Sequence, residues 1–337
     1  MRRFKTRITD LLNIDHPIVL APMGGISGGT LAASVSRAGG LGLVGASYGE
    51  RAWMESELAK LGAPGAPWGI GLVMFTVAER MDLLDLALSH APDVIALSFG
   101  DPAPFLPRIH AAGAKAIVQV HELDQARAAA DLGADALIVQ GAEAGGHSRQ
   151  RSTFPLLPAV RDLVGEDMPL IAAGGIGDGR GVAAALALGA DAAMLGTRFV
   201  ACDESLASGR HKQRLVAAGA AETVRTRAFD IVRGIAWPEP YSGRAIANGF
   251  SRRWAEREGE LAGAPANVRA HYAEALAADD LDFRAMWAGE VLDIVRDIRP
   301  ARRIVEELVA DALDTISGFE RLLAPQSHDA RQRESAA

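Results

Sequence analysis

Eight short apolar runs recur along the first two thirds of the chain. None alternates strictly between apolar and polar residues, and glycine-rich turns and alanine-, leucine- and arginine-rich helical patterns separate them. Such runs are typical of parallel strands that are buried on both faces. The predicted strands are Pro17–Ala21, Leu41–Gly45, Trp68–Met74, Val94–Ser98, Ala116–Val120, Ala136–Gln140, Pro169–Ala173 and Ala192–Leu195. Eight strands alternating with helices predict an α/β fold, a closed (β/α)8 barrel of the TIM type.

Three of the predicted helix-to-strand connections share a short motif in which glycine is followed by alanine. The motif occupies residues 112–116, 132–136 and 188–192. Glycine at such a place ends a helix in the left-handed conformation, and the small residues let the chain turn into the next strand. The motif therefore indicates structure, and we assign it no catalytic role.

The repeating pattern breaks after residue 203. No strand periodicity is visible beyond it, and long charged segments such as Phe250–Leu261, Ala266–Ala277 and Arg302–Glu320 favour helix. We predict a barrel over residues 1–203 and a mostly helical substrate or lid region over residues 204–325, packed on the top of the barrel. The polar residues 326–337 are predicted to be a frayed tail.

Composition narrows the class of protein. The 337 residues are 49% hydrophobic and 23% charged, as in soluble globular proteins. The formal net charge of −7 disfavours a nucleic-acid partner. The sequence contains no run of about 18 apolar residues, so we predict no membrane span. The single cysteine, Cys202, suits a reducing compartment. We expect a cytoplasmic enzyme for a small molecule, with no nucleic-acid or membrane partner and with homodimerisation left open.

One glycine pattern suggests a different fold and is set aside. Residues 40–45 match the G-x-G-x-x-G pattern of dinucleotide-binding proteins. That motif belongs in the turn after a strand, whereas these residues form the predicted second strand itself. The pattern therefore gives no support to a dinucleotide-binding fold.

The loops after the seventh and eighth predicted strands are candidates for phosphate binding. In a (β/α)8 barrel, these two loops often hold a phosphate at the carboxyl ends of the strands. Gly174, Gly175 and Gly196 lack the Cβ that would keep an anion away from the backbone, and Thr197 adds a hydroxyl donor. The alternative is that the glycines only close tight turns.

His147 is the candidate catalytic residue. It follows Gly145 and Gly146 at the end of the sixth predicted strand, where catalytic residues of such barrels lie. An imidazole can gain or lose a proton near neutral pH, which suits a general acid or base. A histidine that only braces its loop is the alternative. His121, after the fifth strand, is a second candidate that ranks lower because no glycine clears space around it.

Four motifs taken together resemble the nitronate monooxygenase family, formerly called 2-nitropropane dioxygenases. They are Ala21-Pro22-Met23-Gly24-Gly25, Gly141-x-Glu143-x-Gly145-Gly146-His147, Ala173-Gly174-Gly175-Ile176 and Gly196-Thr197-Arg198-Phe199. The resemblance implies FMN at the top of the barrel, with its phosphate on the last two loops. The residues implied to bind it are Ala21, Pro22, Met23, Gln119, Gly141, Gly146, Gly174, Gly175, Gly196 and Thr197.

The resemblance also implies a reaction. In the family, the histidine that matches His147 deprotonates a nitroalkane or holds the anionic nitronate. With the flavin and O2, the nitronate is then converted to a carbonyl compound and nitrite. The motifs also resemble FMN-dependent enoyl-acyl-carrier-protein reductases, which use NAD(P)H. The alternative is therefore an NAD(P)H-dependent FMN oxidoreductase that reduces a quinone or an enoyl thioester. A non-redox barrel enzyme or a phosphate-ligand sensor would share the fold alone.

Several further side chains near the predicted site carry weaker expectations. Glu143 either orients a ribityl hydroxyl of the flavin or braces its loop, and we favour bracing. Met23, Met74 and Phe75 are candidates for an apolar wall beside a flat ring. Gln119 is uncharged where many members of the family carry a lysine near the flavin. The resemblance therefore specifies the cofactor more closely than the substrate.

Overall fold

The protein is described here by a computed structural model, which covers residues 3–62 and 65–322. The predicted tail, residues 326–337, lies outside the described residues. The strands of the protein, in chain order, are β1 (Ile18–Leu20), β2 (Gly42–Gly45), β3 (Trp68–Val73), β4 (Val94–Ser98), β5 (Lys115–Val120), β6 (Ala136–Gln140), β7 (Gly146–Ser148), β8 (Leu170–Ala173), β9 (Ala192–Leu195), β10 (Thr223–Thr226) and β11 (Ser242–Ile246).

Eight of these strands form a parallel barrel. Their order is β1-β9-β8-β6-β5-β4-β3-β2. The first and last strands are joined by backbone hydrogen bonds, since the N–H of Leu20 donates to the carbonyl of Leu41 and the N–H of Leu41 to that of Ile18, both at 2.9 Å. The predicted (β/α)8 barrel is confirmed, and the ends of all eight predicted strands agree with the structure to within one residue.

The helices, in chain order, surround the barrel and build the C-terminal region. They are α1 (Arg7–Leu12), α2 (Gly29–Arg37), α3 (Arg51–Leu61), α4 (Met74–Val77), α5 (Met81–Ser89), α6 (Leu106–Ala111), α7 (Leu123–Asp131), α8 (Thr153–Val164), α9 (Gly179–Ala187), α10 (Thr197–Val200), α11 (Gly209–Ala217), α12 (Ala228–Arg233), α13 (Gly249–Trp254), α14 (Glu258–Ala262), α15 (Ala266–Ala277) and α16 (Ala301–Gly318). Short 3-10 turns lie at Ala220–Glu222, Glu290–Asp293 and Phe319–Leu322. Among the described residues, no helix is both long enough and apolar enough to cross a membrane.

Both faces of the barrel strands are buried, which explains why the strands lack a polar alternation. Side chains such as Val19, Ile138 and Ile171 point into the barrel, where Ile8 and Leu12 of α1 pack against the same cluster. The opposite face of each strand packs on the surrounding helices. A strand with two apolar environments has no position for a polar residue until it reaches the rim.

Helix α16 completes the ring of helices around the barrel. It packs against α9 and α2, and its residues Ile304 and Leu308 belong to the main core. At Gly179, α9 and α16 approach so closely that a Cβ on this glycine would lie 2.4 Å from the Cβ of Asp311. The end of the C-terminal region therefore packs as a barrel helix, although its sequence follows the segment above the barrel. The boundary at residue 203 stays a prediction.

The C-terminal region also contains strands, which the sequence analysis missed. β10 and β11 pair antiparallel, and β11 pairs with β7 in the loop after β6. The prediction of a mostly helical region is confirmed, and these two short strands are an addition to it. These strands have four and five residues, and β10 alternates too briefly for a reliable periodicity. The second partner of β11, β7, has only three residues and lies nearly 100 positions earlier in the chain.

Aspartates that directly precede three strands stabilise the lower rim of the barrel, where the strands begin. Each carboxylate accepts a hydrogen bond from a backbone N–H at the start of the preceding barrel strand. The pairs are Asp93 with Trp68 at 3.0 Å, Asp135 with Ala116 at 2.9 Å, and Asp191 with Leu170 at 3.0 Å. Two of these aspartates belong to the glycine motif of residues 132–136 and 188–192, so the motif's polar residue has a structural role.

Asp191 is the most heavily engaged of the three. Besides the strand N–H, its carboxylate accepts from Arg7 Nε at 2.7 Å and from Arg161 Nη2 at 3.0 Å. Asp191 and Arg161 are both buried. A buried charge that loses its partner is strongly destabilising, because the remaining charge stays desolvated.

We predict that Asp191→Asn lowers the free energy of unfolding by about 3 kcal/mol, because it leaves the buried Arg161 guanidinium without a carboxylate. Urea denaturation followed by circular dichroism measures the change. The exposed Asp167→Asn is the control and should change stability by less than about 0.5 kcal/mol. A loss below about 1 kcal/mol for Asp191→Asn would show that the ion pair does not hold the rim.

Candidate active site

A cavity of about 480 Å³ lies at the carboxyl ends of the barrel strands. This volume falls in the range of small-molecule and cofactor sites. Its floor comes from the ends of barrel strands and the loops that follow them, and its roof comes from the C-terminal region, including Arg233, Trp237 and Tyr272. The site is therefore built between the two parts of the chain.

The predicted phosphate loops form one end of the cavity. Gly174 and Gly175 adopt φ angles of +96° and +75°, which glycine tolerates best. Gly196 has an ordinary φ, and a Cβ there would come no closer than 3.4 Å to any protein atom. Internal packing does not require glycine at position 196, so the missing side chain leaves open space in the cavity.

Thr197 completes this end of the cavity with a polar group. Its hydroxyl oxygen accepts a hydrogen bond from the N–H of Gly289 at 2.9 Å. A hydroxyl that accepts one bond still has its own proton to donate. The glycine backbone and this hydroxyl make an end wall suited to an anionic group such as a phosphate.

The segment Ala21-Pro22-Met23 lies along the cavity floor. Two glycines of neighbouring strands make room for it. A Cβ at Gly71 would lie 2.3 Å from the Cβ of Pro22, and a Cβ at Gly45 would lie 2.5 Å from the carbonyl carbon of Met23. Gly45 is the last glycine of the misleading G-x-G-x-x-G pattern, so its purpose is close backbone approach within the barrel.

Gln119 and Gln140 form a polar patch on the cavity wall. Gln119 Nε2 donates to Gln140 Oε1, which also lies 3.0 Å from His121 Nε2. His121 itself does not line the cavity; it is buried against the ring of Phe99. Burial lowers the pKa of His121 to about 4, and its Nδ1 has no partner within the described residues. We therefore give His121 no role in proton transfer at neutral pH.

His147 lies on β7 at the cavity wall and is 7% exposed. Its Nε2 is 2.7 Å from Oδ2 of Asp230, a residue of α12 that is 1% exposed. The imidazole stacks on Trp237, with ring centroids 3.5 Å apart and an interplanar angle of 7°. Burial lowers the pKa of His147, while the hydrogen bond to Asp230 opposes that shift.

Arg233 balances the charge of Asp230. Its Nη2 donates to Asp230 Oδ1 at 2.8 Å, so the carboxylate holds one base and one cation. The hydroxyl of Tyr48 accepts from Trp237 Nε1 at 3.2 Å and lies 3.5 Å from Arg233 Nη2. These contacts fix the positions of His147 and of the indole that covers it.

The remaining residues of the predicted site differ in whether they line the cavity. Gly146 lines the cavity, whereas Gly141 lies beneath the loop, where a Cβ would be 2.1 Å from Thr153 Oγ1. Glu143 accepts from the N–H of Thr153 at 3.0 Å, which caps α8 and agrees with a bracing role. Burial raises the pKa of Cys202 to about 12, so its thiol is unreactive.

The candidate apolar wall is only partly formed as expected. Met23 lines the cavity, but Met74 and Phe75 lie behind the residues that line it. Phe75 packs instead against the edge of Trp237, with ring centroids 4.9 Å apart. Trp237 and Trp287 supply aromatic surface that the sequence analysis did not assign to the site.

Asp230, Arg233 and Trp237 were missed because nothing local marks them. Arg233 and Trp237 line the cavity and Asp230 contacts His147, in a region whose pairing of β11 with β7 the sequence pattern does not reveal. Gln140 is different, since a polar residue that closes an apolar run at a barrel strand's carboxyl end is a usable signal.

Comparison with known proteins agrees with this geometry. The fold and the site define a (β/α)8-barrel protein with a cavity large enough for a small molecule or a cofactor. The chain belongs to the nitronate monooxygenase family, which its residues 5–76 and 70–311 match. The resemblance inferred from the four motifs is therefore confirmed, and the chain is an oxidoreductase.

Similar proteins include enzymes with different names. The nitronate monooxygenase of Neurospora crassa is 32% identical over 92% of each chain. The (3aS,4S,5R,7aS)-5-hydroxy-7a-methyl-1-oxo-octahydro-1H-indene-4-carboxyl-CoA dehydrogenase of Mycobacterium tuberculosis is 36% identical over 68% of this chain and 64% of its own length. The structure of FabK from Thermotoga maritima superposes with a TM-score of 0.84 at 32% identity, covering 95% of this chain and 100% of that one.

The burial of His121 predicts that the folded protein loses stability in acid. His121 has its pKa lowered to about 4 in the folded protein, below the value near 6.5 expected when unfolded. Protonation therefore favours unfolding, so stability should be lost as the pH falls from 6.5 towards 4. In His121→Gln this loss should shrink by up to about 3 kcal/mol, measured by urea denaturation at each pH. The control variant His90→Gln, at an exposed position, should lose as much stability at low pH as the parent protein. If His121→Gln also lost as much as the parent, the lowered pKa of His121 would be contradicted.

Proposed function

We propose that this protein is an FMN-dependent enzyme that oxidatively denitrifies alkyl nitronates with O2, with His147 as the base or the group that holds the anion. The observation that supports this most is the His147–Asp230 pair. It is buried, it lies at the wall of the cavity, and the same cavity ends at the glycine loops that suit a phosphate. Family membership supports the same reaction class.

The proposed FMN site uses residues that the sequence analysis named. Gly174, Gly175, Gly196 and Thr197 would hold the phosphate; a Cβ at Gly175 or Gly196 would meet no protein atom closer than 3.4 Å, and the Thr197 hydroxyl is free to donate. Ala21, Pro22, Met23, Gln119 and Gly146 would lie beside the rest of the cofactor, with Gly141 behind them. When bound there, FMN would supply the redox chemistry that the nitronate and O2 require.

His147 is suited to act as a base at neutral pH. Burial lowers its pKa, so the ring is neutral. The carboxylate of Asp230 can only accept a hydrogen bond, so Nε2 of the neutral ring carries the proton and Nδ1 carries the lone pair. A neutral nitroalkane would lose the proton on the carbon next to the nitro group to Nδ1.

The charges around His147 favour the product of that step. Asp230 and Arg233 together carry no net charge, so the site is neutral before the proton moves. After proton transfer the imidazolium is stabilised by Asp230, and its positive charge faces the anionic nitronate. The Trp237 ring stacked on the imidazole excludes water, which strengthens these interactions.

The alternative, an NAD(P)H-dependent FMN oxidoreductase that reduces a quinone or an enoyl thioester, has its own support. FabK and a carboxyl-CoA dehydrogenase are among the similar proteins. Gln119 presents an uncharged amide on the cavity wall. His147 would then protonate or position the substrate.

Anaerobic stopped-flow reduction of the bound flavin separates the two functions. We expect the purified protein to be yellow, to be reduced by propyl-2-nitronate, and to consume O2 with that nitronate while leaving NADH unused. Rapid reduction by NADPH with none by the nitronate would favour the alternative. A colourless protein that FMN does not reconstitute would contradict both.

Replacing His147 tests its role as base. In His147→Asn we expect turnover of neutral 2-nitropropane to fall by about 100-fold or more, since a positioned base contributes that much. Turnover of the preformed nitronate should fall less, because its proton is already gone. Oxygen consumption measures both. Equal turnover of neutral 2-nitropropane by the variant and the parent would rule out His147 as the base.

Replacing Asp230 tests its role in positioning His147. Asp230 raises the pKa of His147, so Asp230→Asn should move the acidic limb of the kcat/KM profile to lower pH. Turnover should fall as well, since an amide can stabilise the wrong tautomer of the imidazole. Flavin content and circular dichroism control for folding. An acidic limb that stays in place would show that Asp230 does not act on His147.

A further inference from the structure

Two side chains that line the cavity close to His147 carry hydrogen-bond donors without an acceptor among the described residues. Tyr48 follows β2 and reaches the cavity from the barrel, whereas Arg233 ends α12 in the C-terminal region. Tyr48 Oη lies 3.5 Å from Arg233 Nη2, and Arg233 Cζ lies 5.7 Å from the centroid of the Tyr48 ring. The two side chains therefore form one polar group on the cavity wall.

The hydroxyl of Tyr48 has a proton to donate. Its oxygen accepts from Trp237 Nε1 at 3.2 Å and lies 3.5 Å from Arg233 Nη2, and both of these groups can only donate. In the part of the chain that the structure describes, no group accepts from this hydroxyl. Burial raises the pKa of Tyr48, so the hydroxyl keeps its proton at neutral pH. Tyr48 is partly exposed and lines the cavity, so a ligand there can supply the acceptor.

One nitrogen of Arg233 is also available. Its Nε donates to the carbonyl of Phe229 and its Nη2 to Asp230 Oδ1, both at 2.8 Å, and the ring of Trp287 lies 5.9 Å from its Cζ. These contacts hold the guanidinium in place. Its Nη1 has no partner among the described residues, yet it is not among their unpaired atoms that are closed off from solvent. Because Nη1 is accessible and Arg233 lines the cavity, this nitrogen can donate to a ligand.

Two contacts place this pair of donors next to His147. Trp237, whose Nε1 donates to Tyr48, stacks on the imidazole with ring centroids 3.5 Å apart. Asp230 accepts from Arg233 through one oxygen, and its other oxygen lies 2.7 Å from His147 Nε2. Each path from the imidazole to a donor thus passes through one side chain. A group bonded to the carbon that reacts at His147 can span such a separation.

We propose that the Tyr48 hydroxyl and Arg233 Nη1 bind the oxygens of the substrate's nitro group while His147 removes the proton from the neighbouring carbon. The proposal rests on the nitronate reaction and gives it two further catalytic residues. When Nδ1 of His147 takes the proton, the electron pair of the C–H bond forms the C=N bond, and the nitro oxygens gain the negative charge. Both donors keep their protons and stabilise this charge by hydrogen bonds, as donors aimed at a developing oxyanion do.

The charges of the site balance once the oxyanion has formed. The imidazolium of His147 and the guanidinium of Arg233 are then positive, and Asp230 and the nitronate are negative. These four charges sum to zero, as did the charges of Asp230 and Arg233 before the proton moved. The nitronate also meets two cations instead of the imidazolium alone, which strengthens its attraction to the site.

Isothermal titration calorimetry of the flavin-loaded protein with isobutyrate tests the site without turnover. Isobutyrate has the shape of 2-nitropropane, and its carboxylate presents two anionic oxygens in place of the nitro group. The variants are Tyr48→Phe, which keeps the ring, and Arg233→Lys, which keeps a cation beside Asp230 but removes Nη1. The control is Tyr241→Phe, which removes a hydroxyl that lies outside the cavity and is bonded to Gln125. Circular dichroism and flavin content verify the folding of each variant.

We expect isobutyrate to bind the parent and the control equally. It should bind Tyr48→Phe and Arg233→Lys about 10-fold or more weakly, because a hydrogen bond to a charged group contributes that much. The proposal is overturned if the parent does not bind isobutyrate, or if either variant binds it as tightly as the parent does. A parent that binds isobutyrate through these residues but oxidises no nitronate would contradict the proposed function and leave the oxyanion site in place.

Kinetics with neutral 2-nitropropane separate a catalytic role of Tyr48 from a structural one. In Tyr48→Phe we expect kcat/KM to fall about 10- to 100-fold across the pH range, since one hydrogen bond to the oxyanion is lost. The acidic limb of the pH profile, which His147 sets, should stay in place. A variant that lost activity because Trp237 or His147 had moved would shift this limb, and that result would overturn the catalytic role of Tyr48.

Discussion

The hydrogen bond between His147 Nε2 and Asp230 Oδ2 connects the two parts of the molecule at the site. His147 belongs to the loop after the sixth barrel strand, and Asp230 belongs to the C-terminal region. The pairing of β7 with β11 holds the backbone in place, and Arg233 balances the buried charge. If this contact were lost, the imidazole would have neither a fixed tautomer nor a fixed orientation over the cavity.

Much of the barrel could be predicted from the sequence because its constraints are local. Strands such as Val94–Ser98 are apolar along their whole length, since both faces are buried. Glycines at 174, 175 and 196 mark the loops that follow the last two barrel strands, where two of them adopt positive φ angles. The same reasoning could not find β10 and β11: β10 pairs with β11, and β11 pairs with a three-residue strand far away in the sequence. Asp230 and Trp237 belong to the segment between these two strands, so they were missed with it.

Charge balance is the feature that unifies the cavity. Asp230 is matched by Arg233, and Asp279 is matched by Arg284. Burial lowers the pKa of both His147 and His211, so these side chains are neutral in the absence of a ligand. In a cavity whose charges are paired, one proton transfer or one bound group can dominate the electrostatics.

The central claim is that His147 is a neutral base whose Nε2–H is held by Asp230. Long-range ¹⁵N–¹H correlation spectra of ¹⁵N-histidine-labelled protein test it directly, with His147→Asn used to assign the signal. We expect the neutral tautomer protonated at Nε2 at pH 7, with Nδ1 protonated only in acid because burial lowers the pKa of His147. An imidazolium at pH 7, or a neutral ring protonated at Nδ1, would contradict it.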